Sequence, residues 1–352
     1  MMITLIIWFI ERNMPGKITF KSLKVLGVCA GQGALLFPFR KHLIGNIESR
    51  GVFHTPLEEQ WKLNFNQVPF LREKYLDFEH PNIILSSPDC GASSVMRLSK
   101  VKTLGKPEKN KSINLVIECI LHYKPEIFLI ENLPRLLDLI PKETWEETFK
   151  GYHLVYHCHS VSEFGNSQKS RNRLIIIGIK DSCKNLINKF NNIFSINTIK
   201  VSRNLLEPAY FKGNKHNYMP GLDKTLAMYD YRKLPEKKNL TVAQIKKLWD
   251  TDFKDERKWP IKTKKMSTLP GVYRLDPDRC PLTVRPADRQ FRPDGYPLGI
   301  QDIKHIMGFP KRYKIYMDES RYDYWLNKAR YTLAKGSVYE IGLWFKRCLL
   351  KP

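Results

Sequence analysis

From Leu23 onward, short runs rich in Val, Ile, Leu and Phe alternate with longer stretches in which apolar residues recur every three or four positions. The runs Lys24–Val28, Leu43–Ile47, Asn82–Ser86, Ile127–Ile130, His153–His157 and Arg173–Ile179 have the length and composition of strands. Between them, Pro56–Asn64, Ser112–Tyr123 and Lys142–Lys150 carry the helical period. Strands separated by helices predict βαβ units, hence an α/β chain with a mainly parallel sheet and ligands just beyond the carboxyl ends of its strands. After about Asp181 the periodicity fades into Asn- and Lys-rich segments with scattered aromatics, which reads as a second, smaller, basic lobe. It returns in Ile300–Met307, stopped by Gly308-Phe309-Pro310, and in the amphipathic segment Ser337–Leu350. The expected division is an extension over residues 1–17, a main domain over 18–181, the basic lobe over 182–279, and a return to the main domain over 280–352.

Charge narrows the class of partner. The 352 residues carry 59 Lys plus Arg against 35 Asp plus Glu, a formal net charge of +24 at pH 7. With 42% hydrophobic residues and no bilayer-length apolar run, the chain reads as folded and soluble rather than disordered or membrane-embedded. A field of that sign attracts polyanions, nucleic acid first and an acidic membrane surface second. Seven cysteines, an odd number with no C-x-x-C pair, argue against a disulfide framework or a zinc knuckle and for a reducing, cytoplasmic location. The opening Ile3–Ile10 run has no basic residue before it and no small-residue cleavage site after it, so no signal peptide is expected, and Met14 reads as the functional start.

Chemistry gathers at the strand ends. The first strand runs into Cys29-Ala30-Gly31-Gln32-Gly33, two glycines where a backbone must approach a cofactor closely. About 15 residues on, the second strand ends in Glu48, placed as an acceptor for ribose hydroxyls; a solvated acid beside a tight turn is the bland alternative. The third runs into Ser87-Pro88-Asp89-Cys90-Gly91, where a nucleophile belongs, although a cysteine after a strand is more often a small buried hydrophobe. The fourth ends in Glu131-Asn132-Leu133. Farther on, Gln168-Lys169-Ser170-Arg171-Asn172-Arg173 sets two arginines at alternate positions, on one face of an extended strand, where like charges call for an anion. His153, His157 and His159 near Cys158 are expected to be structural, because Cys158 points away from its two neighbours on a strand; no metal is expected.

In their order and spacing, Cys29–Gly33, the Pro-x-Cys loop, Glu131-Asn132-Leu133, the Gln…Arg-x-Arg strand and Ile300–Pro310 resemble the motifs of the cytosine-C5 DNA methyltransferases. The likeness covers about residues 24–180 and 280–345, and Pro281–Pro286 with Arg292–Tyr296 is similar to the family's ninth motif. It implies a Rossmann-like fold that uses S-adenosyl-L-methionine, with the target-recognition domain in the basic lobe. It implies that Cys90 adds as thiolate to C6 of cytosine, that Glu131 protonates or hydrogen-bonds N3, and that Arg171 and Arg173 hold the base and a phosphate and favour the thiolate. The cofactor would lie against Ala30, Gly31, Gln32, Gly33 and Pro88, with Glu48 on its ribose, Phe53 and Asp77 near its adenine, and Ser337 and Val338 on the far wall. The implied partner is double-stranded DNA, its target base flipped out, bound by a monomer acting in DNA modification beside a cognate restriction endonuclease.

Three positions depart from the family's pattern. Asp89 stands where a proline normally precedes the nucleophile, and its charge disfavours a thiolate unless it points away or pairs with an arginine. Gln168 is displaced by one residue from the arginines, and Lys335-Gly336-Ser337-Val338 replaces Gly-Asn-Ser/Ala-Val. Such departures characterise a divergent, phage-like or mobile-element-like branch. Two other readings stay open: a methyltransferase for RNA or another pyrimidine, and a DNA-binding protein without catalysis, for which Asp89 is the main support.

Overall fold

The computed structural model describes residues 23–49, 57–72, 78–90, 110–168, 171–194, 272–274, 289–291, 300–316, 333 and 337–350. Seven strands form one sheet: β1 (Val25–Val28), β2 (Leu43–Glu48), β3 (Phe70–Arg72), β4 (Ile83–Ser86), β5 (Ile127–Asn132), β6 (Tyr152–Ser160) and β7 (Asn172–Lys180). Their order is β3-β2-β1-β4-β5-β7-β6. The first five run parallel, whereas β7 is antiparallel to β5 and β6 antiparallel to β7. All residues of β1, β4 and β5 are buried, the mark of parallel strands covered on both faces. β3 has no counterpart among the sequence-based expectations. Three residues at a sheet edge are too few to show a period, and its place is set by pairing with Asn46–Glu48.

Because side chains alternate across a strand, each strand feeds two cores. On one face, Val25, Leu85, Leu129 and Ile177 meet α1 (Leu57–Phe65), α4 (Ile300–Ile306) and α5 (Tyr339–Leu350). On the other, Leu26, Ile84, Phe128 and Ile176 meet α2 (Lys111–Tyr123) and α3 (Lys142–Thr148). α5 presents Ile341, Trp344, Phe345 and Cys348 at helical spacing, so residues more than 150 positions after β7 close the first core. Cys183, Leu186 and Phe190 belong to that core as well, with Phe190 stacked on Phe345 at 5.1 Å. Residues 195–271 of the expected recognition lobe lie outside the described residues. Two short strands, β8 (Val272–Arg274) and β9 (Arg289–Phe291), pair in parallel as a separate sheet.

Chain order β1–β2 on one side and β4–β5 on the other puts the topological switch point between β1 and β4, where a crevice opens at the carboxyl edge. The Cys29–Gly33 loop and the Ser87–Cys90 loop both leave the sheet there. Gly33 turns the first loop at φ +80°, and a Cβ on it would lie 2.5 Å from the Phe65 ring, itself stacked on Trp61 at 4.1 Å. Gly33→Ala is expected to destabilise the fold by about 2–4 kcal/mol, combining left-handed strain with overpacking. A lower denaturant midpoint at unchanged m-value would show it.

Candidate active site

In the loop after β4, Ser87, Pro88 and Asp89 are each held by a hydrogen bond. Ser87 Oγ donates to Glu131 Oε2 at 2.5 Å, and the Pro88 carbonyl accepts from Asn132 Nδ2 at 3.1 Å. The Asp89 N–H donates to Ser112 Oγ at 3.0 Å, and its carbonyl accepts from Asn110 Nδ2 at 3.1 Å. Cys90 follows, half-buried, in a pocket lined by Ser87, Pro88, Asp89, Cys90, Glu131, Asn132, Leu133 and Arg173. The pocket is a shallow, open concavity of ≈ 370 Å³ when the solvent at its mouth is counted. Thus Cys90, Glu131 and Arg173, from three separate strand ends, meet in one concavity.

Glu131 is the last-but-one residue of β5 and only 3% exposed. Its Oε1 accepts from Arg173 Nε at 2.7 Å while Oε2 takes the Ser87 hydroxyl, so the carboxylate is fixed from two elements. Arg173 lies opposite, near the start of β7, its side chain 13% exposed. Arg171, just before β7, does not share that setting: it is buried, and its Nη1 points at Met307 Sδ, 3.6 Å away. Burial, then repulsion from Arg173, pushes its pKa down to about 9, partly countered by Glu131, Cys90 and Glu340. Gln168 is also buried, its side chain donating to Asn166 Oδ1 at 3.2 Å, and Asn166 in turn donates to Glu340 on α5.

The thiol of Cys90 is raised above its ordinary value. Burial is the main cause; Arg173 opposes it, Asp89 and Glu131 add to it, and Arg171 opposes it more weakly. Both arginines therefore act in the direction expected from sequence, but desolvation outweighs them, and the resting sulfur keeps its proton. The exposed Asp89 contributes less than burial or Arg173.

At the β1 end of the crevice, Cys29 (φ +51°), Gly31 (φ +57°) and Gly33 turn the loop so that the Gly31 N–H donates to Glu48 Oε1 at 2.6 Å. Asn46 Nδ2 donates to the same oxygen at 3.1 Å. A Cβ on Gly31 would meet nothing within 4 Å, so open space lies over the loop beside a buried carboxylate. Burial pushes Glu48 up to about 7, opposed by Asn46, the Gly31 N–H and Arg72. Ala30 and Gln32 are buried, and the Gln32 carbonyl accepts from Tyr313 Oη at 2.5 Å. Ser337 Oγ accepts from the Leu35 N–H at 3.1 Å, which ties the start of the C-terminal helix to this loop, and Val338 is buried beneath it. Pro88 lines the thiol pocket. Phe53 and Asp77 lie outside the described residues.

Sequence reading did not single out Ser87, Asn110, Ser112 or Asn132, which position the loop. Asn132 was visible within Glu131-Asn132-Leu133, but the contacts of Asp89 with Asn110 and Ser112 span more than 20 residues and follow no spacing rule. His157 and His159 serve separate partners: His157 Nε2 contacts the Phe190 carbonyl at 2.6 Å and His159 Nδ1 pairs with Glu163 at 2.7 Å.

The seven-stranded sheet, with its antiparallel β7 and a glycine loop at the switch point, has the fold of the S-adenosylmethionine-dependent methyltransferases. The model of the C-5 cytosine-specific DNA methylases matches residues 43–326, and the chain belongs to that family. Among solved structures it is similar to the Dnmt2 methyltransferase of S. pombe (13% identity, TM-score 0.57, 93% of this chain and 98% of that one). It is also similar to the Entamoeba histolytica methyltransferase EhMeth (14%, TM-score 0.59, 94% and 99%). A third is a prophage-encoded protein of E. coli described as a DNA modification methyltransferase (14%, TM-score 0.52, 94% and 100%). At such identities the likeness shows the fold. The comparison with curated proteins gives no match. Family membership makes the chain a cytosine-C5 methyltransferase and implies S-adenosylmethionine as methyl donor. The open space over Gly31 beside the buried acceptor Glu48 fits a nucleoside with ribose hydroxyls to donate.

Proposed function

We propose that the protein methylates C5 of cytosine in double-stranded DNA through a covalent bond between Cys90 and C6. The observation that carries this reading is the convergence of Cys90, Glu131 and Arg173 in one pocket beside the glycine loop. Cytosine C5 is a poor nucleophile. When the Cys90 sulfur gives up its proton and adds to C6, the C5–C6 π pair moves toward C5, and a proton held at N3 leaves a neutral enamine. Glu131, fixed by Ser87 and Arg173, stands ready to hold that proton at N3. S-adenosylmethionine, when bound, supplies the methyl group as an electrophile. Loss of the C5 proton to a solvent base then expels the Cys90 sulfur, and the N3 proton returns to Glu131 as the ring is restored.

Arg173 keeps Glu131 oriented and, with Arg171, favours the thiolate that burial disfavours. A target base stacked in a duplex must be flipped to reach this pocket, and the charge of +24 suits the backbone contacts that hold the DNA meanwhile. In this reading the protein acts as a monomer in DNA modification, with residues 195–271 in the recognition lobe.

The test is transfer of labelled methyl to unmethylated duplex DNA and, in parallel, to RNA of the same sequence, with the product base identified. Label in 5-methylcytosine of DNA supports the proposal. Label confined to RNA would move the assignment to an RNA methyltransferase, and DNA binding with no label in either would favour a binding-only protein.

Glu48 makes cofactor affinity depend on pH. Only the carboxylate accepts hydrogen bonds from both ribose hydroxyls, and with its pKa at about 7 the carboxylate form grows from a minor to a major fraction across neutrality. Titration calorimetry is expected to show S-adenosylmethionine binding about ten-fold tighter at pH 8 than at pH 6. In Glu48→Gln the dependence should vanish. The sign for the free protein is opposite: the fold favours the protonated acid, so the stability it contributes is full below pH 4.5 and is lost as pH rises to about 7.

A further inference from the structure

We infer that Asn110, the N-cap of α2, and Ser112 in its first turn are positioning residues for the nucleophile, and that they act through the backbone of Asp89. This rests on Cys90 being the nucleophile. The bonds form a closed ring. The Asp89 N–H donates to Ser112 Oγ at 3.0 Å, the Ser112 hydroxyl donates to Asn110 Oδ1 at 2.7 Å, and Asn110 Nδ2 donates to the Asp89 carbonyl at 3.1 Å. Asn110 Oδ1 also accepts from the Ser112 and Ile113 N–H groups at 3.2 and 3.4 Å, the usual work of a helix cap.

Every group of the ring takes part. The hydroxyl donates once and accepts once, the amide uses both ends, and both peptide groups flanking the Asp89 Cα are held. Ser112 is 4% exposed, so its two bonds in the ring are partly shielded from water, while the Asn110–Asp89 bond is exposed. One bond further, the Cys29 thiol reaches the Ser112 carbonyl at 3.5 Å. The first turn of α2 is therefore a joint that touches both the glycine loop and the nucleophile loop.

Asp89 is exposed, and both its N–H and its carbonyl are held in this ring. The residue type matters little; the N–H matters. A proline at this position, as the family resemblance would suggest, has no N–H and would break the ring at its first bond.

The experiment compares Asp89→Asn, Asp89→Pro, Ser112→Ala and Ser112→Thr in steady-state methyl transfer to DNA, with melting temperature and S-adenosylmethionine affinity measured on each. Ser112→Thr, which keeps the hydroxyl, is expected to retain most of the activity that Ser112→Ala loses, and Asp89→Asn, which keeps the N–H, to escape the loss seen in Asp89→Pro. Asp89→Pro and Ser112→Ala should lose about ten- to hundred-fold in kcat at nearly constant KM, since a displaced reacting group lowers rate more than binding. An Asp89→Pro variant as active as the parent would overturn the inference. So would a loss in Asp89→Asn matching that in Asp89→Pro while Ser112→Ala stays active, because the carboxylate would then be the working group. If either damaged variant fails to fold, Asp89→Asn against Asp89→Ala still reads the carboxylate, and Asn110→Asp, which keeps the acceptor and loses the donor to the Asp89 carbonyl, reads the ring. Activity surviving in Cys90→Ala would instead defeat the underlying assignment and leave the ring a purely structural feature.

Discussion

Replacing Cys90 by alanine is expected to lower methyl transfer by at least about 10³-fold while S-adenosylmethionine and DNA still bind. The loop around the sulfur is held by Ser87, Pro88 and Asp89. Removing the sulfur leaves the loop standing, and what is lost is the addition to C6. Without that step C5 lacks the electron density to accept a methyl group. Labelled transfer with purified variant and parent, alongside cofactor calorimetry, separates this outcome from misfolding. Because burial keeps the resting thiol protonated, the parent's rate should also rise with pH on the acidic side of the thiol's titration.

The second large effect belongs to Glu131. Glu131→Gln keeps the shape and still offers an oxygen to Ser87, but it removes the charge facing Arg173 at 2.7 Å and the group that holds the N3 proton. A loss of about 10²- to 10⁴-fold in kcat is expected, the usual weight of a positioned proton-transfer group. Cofactor affinity should be unaffected, since Glu48 and the glycine loop lie at the other end of the crevice. Some stability should go as well: Arg173 is 13% exposed and would lose its carboxylate partner, leaving a cation largely out of water. Single-turnover kinetics distinguish the two, because a loss of transfer at full occupancy cannot come from a fraction of unfolded protein.

What the sequence could and could not show follows from the range of each interaction. The loop after β1, the thiol loop after β4 and Glu131 at the end of β5 were legible because each is a local event: a hydrophobic run stops and a chemically marked residue begins. Helices α2 and α5 were legible because their periods are long. β3 was not, since Phe70–Arg72 is a strand only through its pairing with β2. Nor was the reversal of β7, because strand polarity is set by the sheet it joins and leaves no local signature.

The electrostatic balance at Cys90 was half legible. Two arginines near the thiol could be inferred from their positions, but the burial that outweighs them belongs to the folded pocket. Arg171 and Arg173 illustrate the same limit. Their alternate spacing suggested one shared role, whereas one side chain is buried against Met307 and the other pairs with Glu131.

The most direct measurement of the central claim is a covalent trap. Duplex DNA carrying 5-fluorocytosine has no C5 proton to lose, so after methyl transfer the enzyme cannot release the base. With S-adenosylmethionine present, a denaturation-resistant protein–DNA adduct is expected, whose digestion places the modified nucleotide on Cys90, and no adduct is expected from Cys90→Ala. A protein that methylates DNA yet forms no adduct, or forms one at another residue, would contradict that claim.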